Sequence, residues 1–90
     1  MTKNDLESKI QAKIIRKYEE KGYYVIKLIA TNKNGIGDLL CLPCTGSGND
    51  ILFIEAKQHG KDMAPLQKFR AQEIEKATGI KTIKLDNADD

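Results

Sequence analysis

The segment ILFIEAK at 51–57 constrains the fold more than any other part of the chain. Alternate side chains of a strand point to opposite faces, and here both sets are apolar from Ile51 to Ala56, apart from Glu55. A strand that is apolar on both faces belongs in the middle of a sheet whose two faces are covered. We therefore predict an α/β protein in which helices lie against opposite faces of a small mixed sheet.

The flanking segments predict two helices. The first runs to about Lys21, with Asn4 or Thr2 as its cap and Gly22 as its end. The second begins near Pro65, which suits a first helical turn, and ends at Gly79.

Aromatic and β-branched residues predict four strands, at Tyr23–Ile29, Asp38–Leu42, Ile51–Lys57 and Ile80–Leu85. The predicted order is α-β-β-β-α-β. No repeat, linker or low-complexity tract divides the chain, so we expect a single domain over residues 1–90. We expect its acidic tail, from about residue 86, to be mobile and outside the fold.

The composition of this 90-residue chain, 40% hydrophobic and 31% charged, is typical of a soluble globular domain. Its longest apolar run is too short to span a bilayer, and two cysteines indicate a reducing compartment. We therefore expect a cytoplasmic protein with no membrane partner. Taken alone, the net charge of only +2 argues against nucleic acid as a partner. That objection weakens if some carboxylates bind metal and others lie in the tail, because the remaining surface is then more basic.

The first helix carries a charged residue inside its apolar stripe. Leu6, Ile10, Ile14 and Tyr18 define the stripe, and at about 100° per residue Glu7 falls within it. A carboxylate turned inward needs a cation or a proton beside it. The alternative is a Glu7 side chain that reaches solvent from the first turn or helps to cap the helix.

The hairpin after the first strand predicts a carboxylate pair. In the expected antiparallel register Leu40 faces Phe53 and Asp38 faces Glu55. Two facing carboxylates repel unless a cation lies between them, and hard oxygen ligands suit Mg²⁺ or Mn²⁺. Lys57 lies on the same face, two residues after Glu55. A metal ligand beside an ammonium group suits phosphodiester hydrolysis, whereas an isolated Glu-x-Lys is usually a solvated ion pair.

Taken together, these segments resemble the PD-(D/E)-x-K nucleases, and more narrowly the virus-type replication-repair nuclease (VRR-NUC) domain. The matching features are Glu7, GIGDL at 35–39, FIEAK at 53–57 and APLQ at 64–67. The resemblance covers nearly the whole chain and implies a restriction-endonuclease-like core with the α-β-β-β-α-β order. The chain differs from the family in two places: Ile36-Gly37-Asp38 lacks the proline that often precedes the aspartate, and the last strand reads Thr82-Ile83-Lys84 in place of Val-Arg-Arg.

The resemblance also implies roles for individual residues. Glu7, Asp38 and Glu55 would hold Mg²⁺ or Mn²⁺, Lys57 would be the catalytic lysine, and Gln67 the glutamine of the family motif. Because Gln67 and Arg70 are three residues apart on the second helix, both could face the site. We expect that helix to bury an apolar stripe of Leu66, Phe69, Ile74 and Ala77.

Several cationic side chains border the predicted cleft and are candidates for contacts with DNA phosphates: Lys33, His59, Lys61, Lys68 and Arg70. The loop at 32–37 is glycine-rich but lacks the Gly-Lys-Ser/Thr ending of a phosphate loop, so no nucleotide cofactor is expected.

Cys41 and Cys44 form a Cys-x-x-Cys that closes a strand, whereas redox motifs of this kind open a helix. With one histidine in the chain, a zinc site within one protomer lacks ligands. We predict a buried Cys41 and a turn Cys44, with a zinc shared between subunits as the alternative.

These patterns predict a Mg²⁺- or Mn²⁺-dependent, structure-specific DNA endonuclease. Stand-alone viral members of the resembled family look like Holliday-junction resolvases. The resemblance therefore implies a homodimer that cuts branched DNA, four-way junctions first, and a phage or prophage protein acting in the host cytoplasm. The alternatives are a non-catalytic DNA-binding or assembly module on a nuclease core, and an RNA or tRNA endonuclease.

Overall fold

The computed structural model describes residues 3–86, with side chains from residue 7 onward. Within that range the elements follow the predicted α-β-β-β-α-β order: α1 Lys3–Glu20, β1 Tyr23–Lys27, β2 Leu39–Pro43, β3 Leu52–Ala56, α2 Pro65–Thr78 and β4 Lys81–Leu85.

Glycines end both helices, as predicted. Gly22 follows α1 with φ +97°, and Gly79 follows α2 with φ 78° and donates its N–H to the Glu75 carbonyl at 2.8 Å. Pro65 is the first residue of α2. The predicted Asn4 cap is wrong, because α1 begins at Lys3 and Asn4 lies within it; Thr2 lies outside the described residues.

The four strands form one mixed sheet in the order β1-β2-β3-β4. β1 with β2 and β2 with β3 pair antiparallel, and β3 with β4 pair parallel. The predicted hairpin register is confirmed, since Leu40 faces Phe53 and Leu39 faces Ile54. β3 is an interior strand, as its two apolar faces require.

β1 is two residues shorter than predicted. After Lys27 one more backbone hydrogen bond, from the Leu28 N–H to the Asp38 carbonyl at 2.8 Å, joins the chain to the residue before β2. The chain then leaves the sheet. Ile29 therefore lies in a loop and is 90% exposed. We call residues 28–38 the β1–β2 loop.

The core lies between α1 and one face of the sheet. Ile14, from the predicted stripe, is fully buried, and Ile10 and Tyr18 pack around it. Ile83 and Leu85 of β4 pack at the margin of this core. The other three strands contribute the buried apolar residues of the sheet: Tyr23, Leu39, Cys41, Ile54 and Ala56. We call this surface the α1 face of the sheet.

α2 covers the opposite face only in part. It connects the parallel strands β3 and β4, as such a crossover must, and lies mainly against β4. The predicted buried stripe is wrong, because Leu66 is 46% and Phe69 56% exposed and no α2 residue is buried. The part of this face formed by β1 stays open, and Tyr24 is 66% exposed.

The two cysteines are free, as predicted, with Cys41 buried and Cys44 exposed. Burial raises the pKa of the Cys41 thiol to about 11, so it is an inert core residue. Neither helix, within the residues described, is long and apolar enough to cross a membrane.

Candidate active site

The candidate site lies where β3 ends and β2 begins. Glu55, on β3, is 3% exposed, and Asp38 immediately precedes β2. The register of the β2–β3 pair, continued by one residue, places Asp38 opposite Glu55. One Asp38 carboxylate oxygen, Oδ2, accepts the Ala56 N–H at 3.0 Å. The two predicted acidic residues are therefore brought together and held by the sheet backbone.

Gly37 explains how Asp38 comes so close to β3. A Cβ atom at residue 37 would stand 3.0 Å from the Ile54 carbonyl oxygen and 3.3 Å from its carbon. Those atoms belong to the backbone of a central strand and do not yield easily. The glycine before Asp38 therefore lets the β1–β2 loop pass directly over β3.

The two oxygens of the Glu55 carboxylate have different surroundings. Oε1 accepts a hydrogen bond from Gln67 Nε2 at 3.0 Å and lies 3.8 Å from Lys57 Nζ. Oε2 is buried, and no donor group of the described residues reaches it while the carboxylate is ionised. An unpartnered buried carboxylate oxygen is costly, and it is an available ligand beside the Asp38 carboxylate.

These surroundings shift the proton affinity of Glu55. Burial first, and then the negative charge of Asp38, raise the pKa of Glu55 from 4.5 to about 7, while the Lys57 ammonium opposes the shift. A hydrogen bond between the protonated Glu55 and the Asp38 carboxylate contributes to the raised pKa. In the absence of a cation the carboxyl group is therefore about half protonated at neutral pH. A carboxylate that a cation would stabilise is a common sign of a functional site.

Lys57 lies at the edge of this pair, with a side chain that is 20% exposed. Its backbone N–H donates to the Leu85 carbonyl at 2.9 Å, which fixes the residue at the end of the β3–β4 ladder. The ammonium group thus reaches both Glu55 and solvent, where a substrate would arrive.

Gln67 is fixed by two hydrogen bonds in the first turn of α2. Its Oε1 accepts the Ala64 N–H at 2.8 Å, and its Nε2 donates to Glu55. This arrangement determines the orientation of the amide, with the donor group toward the carboxylate. Gln67, identified only through its APLQ context, is therefore part of the site.

Glu7 is half-buried and near the pair, since its charge is the weakest contributor to the raised pKa of Glu55. Among the described residues, no three acidic, histidine or cysteine side chains lie close enough to form a ready metal cluster. Asp38 and the unpartnered Oε2 of Glu55 nevertheless fit a hard divalent cation, which prefers carboxylate oxygens. Glu7 lies near this pair, but among the described residues it does not form a three-carboxylate metal cluster with it.

The predicted DNA-contacting residues differ in how free their side chains are. Lys33 and Lys61 are exposed, and Lys33 lines a hollow of about 310 Å³ that reaches Asp38. Lys68 is paired with Asp62 at 2.8 Å. Arg70 donates to the Asn34 carbonyl at 2.9 Å and to Glu73 at 2.6 Å.

His59 is 91% exposed and lies 3.4 Å from an Asp86 carboxylate oxygen. Asp86, the first residue of the predicted mobile tail, directly follows β4, and its side chain is 20% exposed. Residues 87–90 of the predicted mobile tail lie outside the described residues.

Sequence reasoning missed the placement of Lys84. It is in register with Glu55 on the parallel neighbour β4, so both side chains lie on the same face of the sheet. Lys84 Nζ donates to the Lys61 carbonyl at 2.9 Å and so fastens the segment between β3 and α2. The position of Lys84 beside Glu55 follows from the parallel pairing of β3 with β4. It cannot be predicted from the alternation of side chains within one strand.

The mixed α/β sheet, with its carboxylate pair and Lys57 directly after β3, has the arrangement of a nuclease-type domain, as a structural match indicates. A solved structure described as a VRR_NUC domain superimposes with a TM-score of 0.73 at 25% sequence identity, covering 93% of this chain and 87% of that one. The chain has the VRR-NUC fold, as the sequence motifs predicted. No family model and no curated protein matches it by sequence.

Proposed function

We propose that the protein is a Mg²⁺- or Mn²⁺-dependent DNA endonuclease of the PD-(D/E)-x-K type. The observation that carries the proposal is the buried Oε2 of Glu55, which no donor reaches, beside Asp38 and with Lys57 directly after the same strand. The structural match to a VRR_NUC domain supports a nuclease-type activity.

The roles of the residues follow from their contacts. Asp38 and Glu55 would hold the cation, which supplies a polarised phosphate oxygen and a more acidic bound water. Lys57 would orient the attacking water and stabilise the negative charge that develops on the phosphate. Gln67 would keep Glu55 ionised and oriented by donating to its carboxylate.

Glu7 would complete the acidic set. It lies half-buried on α1, near enough to Glu55 to raise its pKa slightly. In this proposal Glu7 would add negative charge beside the cation or help to activate a water there, because it lies near the pair although no ready three-residue metal cluster is present among the described residues.

Contacts with DNA would be made mainly to phosphates. Lys33 and Lys61 are exposed, and Lys33 borders the hollow that reaches Asp38. His59 and Lys68 would add contacts at the margin once their carboxylate partners exchange for phosphates. Such contacts carry no base information, so recognition would depend on the shape of the DNA.

We further propose a homodimer that acts on branched DNA, with four-way junctions as the first candidate. What supports a dimer is the exposure of large apolar side chains on α2 and β1: Tyr24, Leu66 and Phe69 are each more than 40% exposed. A two-fold dimer would present two active sites, which paired cuts in a junction require.

The decisive experiment compares wild type with Lys57→Ala on labelled four-way junctions, flaps, linear duplex and RNA, with Mg²⁺, Mn²⁺ or EDTA. Lys81→Ala is the matched control, because Lys81 is an exposed lysine at the other end of the neighbouring strand. We expect cleavage of junctions by wild type and Lys81→Ala, but none by Lys57→Ala or in EDTA.

Other outcomes would point elsewhere. Cleavage that survives EDTA, or equal cleavage by Lys57→Ala, contradicts the mechanism. Cleavage of RNA alone contradicts the substrate. Tight DNA binding without cleavage under any metal condition would favour a non-catalytic module.

A further inference from the structure

We infer that Arg70 is a positioning residue that fastens the β1–β2 loop to α2 and thereby sets where Lys33 meets the DNA. The inference deepens the proposed function and rests on it. It assigns to Arg70 a role through the loop, in place of the direct phosphate contact that the sequence suggested.

The contacts of Arg70 are internal. Its Nε donates to the Asn34 carbonyl at 2.9 Å, across a separation of 36 residues, and its Nη1 donates to Glu73 at 2.6 Å. The side chain is only 16% exposed, although the loop residues around it are exposed. A guanidinium held in this way is poorly placed to meet a phosphate, and well placed to join a loop to a helix.

The loop also packs directly on α2 next to Arg70. A Cβ atom at Gly35 would lie 2.9 Å from the Leu66 carbonyl oxygen and 3.0 Å from Leu66 Cγ. Gly35 has φ +84°, a conformation that other residues rarely adopt. The hydrogen bond at Asn34 and the close approach at Gly35 therefore act on neighbouring residues of one loop.

The contacts of Arg70 and Gly35 constrain the backbone at Lys33 but not the position of Asp38. Lys33 directly precedes Asn34, and its carbonyl accepts the Thr31 hydroxyl at 2.6 Å, so its backbone is part of the fastened turn. Asp38 is held separately, through its own carbonyl by Leu28 and through its carboxylate by Ala56. Releasing the loop should therefore weaken DNA binding and leave the acidic pair in place.

The first test is independent of nuclease activity. Trypsin is added to the metal-free protein, and cutting after Lys33 is followed by mass spectrometry against cutting after Lys81 as an internal reference. We expect Arg70→Ala and Gly35→Ala each to increase the relative rate at Lys33 roughly tenfold, because local opening becomes easier. Glu73→Gln keeps the Asn34 hydrogen bond and should leave the rate within about twofold of wild type.

The second test uses the kinetics of junction cleavage. Arg70→Ala should raise KM roughly tenfold with kcat and the Mg²⁺ dependence unchanged, and Lys33→Ala should do the same. Because both changes remove one and the same contact, the double variant should be no worse than either single variant. Arg70→Lys should restore KM in part, since an ammonium can still donate to the Asn34 carbonyl.

The outcomes separate this inference from the proposed function. Unchanged cutting at Lys33 in both Arg70→Ala and Gly35→Ala overturns the fastening, whatever the enzyme does. Additive effects of Arg70→Ala and Lys33→Ala on KM overturn it as well, because they indicate two separate DNA contacts. If wild type cleaves no nucleic acid, the proposed function fails, and the trypsin test still decides whether Arg70 holds the loop.

Discussion

Glu55 is the residue on which the candidate site depends. It is buried, its Oε2 has no partner, and its pKa is raised to about 7. A group with these properties stabilises the metal-free fold only while it is protonated. The same group is ready to release that proton when a cation arrives.

The raised pKa predicts how stability depends on pH. Between about pH 4.5 and pH 7 the folded protein holds a proton on Glu55 that the unfolded chain has released. This contribution is complete below about pH 4.5 and is lost as the pH rises through about 7, by roughly 3 kcal/mol at most. In EDTA we therefore expect the free energy of unfolding to fall between pH 5 and pH 8.

Chemical denaturation at several pH values measures this effect, with Glu55→Gln and Glu75→Gln compared with wild type. Glu55→Gln should show a flatter dependence, whereas Glu75→Gln, at an exposed position, should follow wild type. Mg²⁺ should add more stability at pH 8 than at pH 5.5, because it needs the ionised carboxylate. A wild-type curve no steeper than that of Glu55→Gln would contradict the raised pKa.

Gln67 provides a second test at this scale. Replacing its amide by a carboxylate, in Gln67→Glu, removes the donor to Glu55 and adds a like charge in its place. Both effects make Glu55 harder to ionise, so activity at pH 7 should fall at least about tenfold and recover partly at higher pH. The pH–rate profile checks this, and an unshifted profile would exclude Gln67 from controlling Glu55. Gln72→Glu, an exposed change on the same helix, is the control.

Among the elements, β3 was the most predictable from sequence, whereas α2 was predictable in its ends but not in its packing. The two apolar faces of β3 predicted an interior strand, and the hairpin register placed Asp38 opposite Glu55; the register is confirmed. The interior position of β3 follows from alternation within one segment, and the register follows from two neighbouring segments and the turn between them. The exposure of Phe69 was not predictable, because it depends on how much of the sheet α2 covers. The link from Arg70 to Asn34 likewise joins segments that no local pattern connects.

The close passage of the β1–β2 loop over β3 gives a prediction for Gly37. Its Cβ position meets backbone atoms of Ile54, so Gly37→Ala should force Asp38 away from β3 and cost about 1–3 kcal/mol of stability. Gly48→Ala is the control, since its Cβ position has nothing within 4 Å and only its φ of +75° opposes a side chain.

Thermal unfolding and cleavage measured together decide the point. Gly37→Ala should lose activity even at temperatures where it is folded, because the carboxylate pair is no longer assembled. Gly48→Ala should lose only modest stability and keep its activity. Full activity in Gly37→Ala would show that the close approach is not needed for the site.

For the whole molecule, the uneven cover of the sheet is the main physical fact. The α1 face holds every fully buried side chain identified in the described residues, whereas the other face exposes Tyr24 and the flank of α2 exposes Phe69. Apolar side chains that stay exposed, such as Tyr24 and Phe69, add little to the stability of a single small domain. A second copy of the chain would cover them, and it would also supply the second active site that paired cuts need.

The dimer is tested by placing a charge on this surface. Phe69 is 56% exposed, and its ring lies 5.6 Å from the Arg70 guanidinium, so Phe69→Lys loses little buried surface and should leave the monomer folded, with a change in stability below about 1 kcal/mol. A desolvated lysine at a two-fold interface costs several kcal/mol, so the variant should shift from dimer to monomer in light scattering at micromolar concentration. Glu75→Lys, an exposed charge change elsewhere on α2, should remain dimeric.

Paired cutting of a four-way junction should be lost with the dimer, while single nicks persist at a reduced rate. If Phe69→Lys and wild type have the same mass and the same cutting pattern, this surface is not the interface.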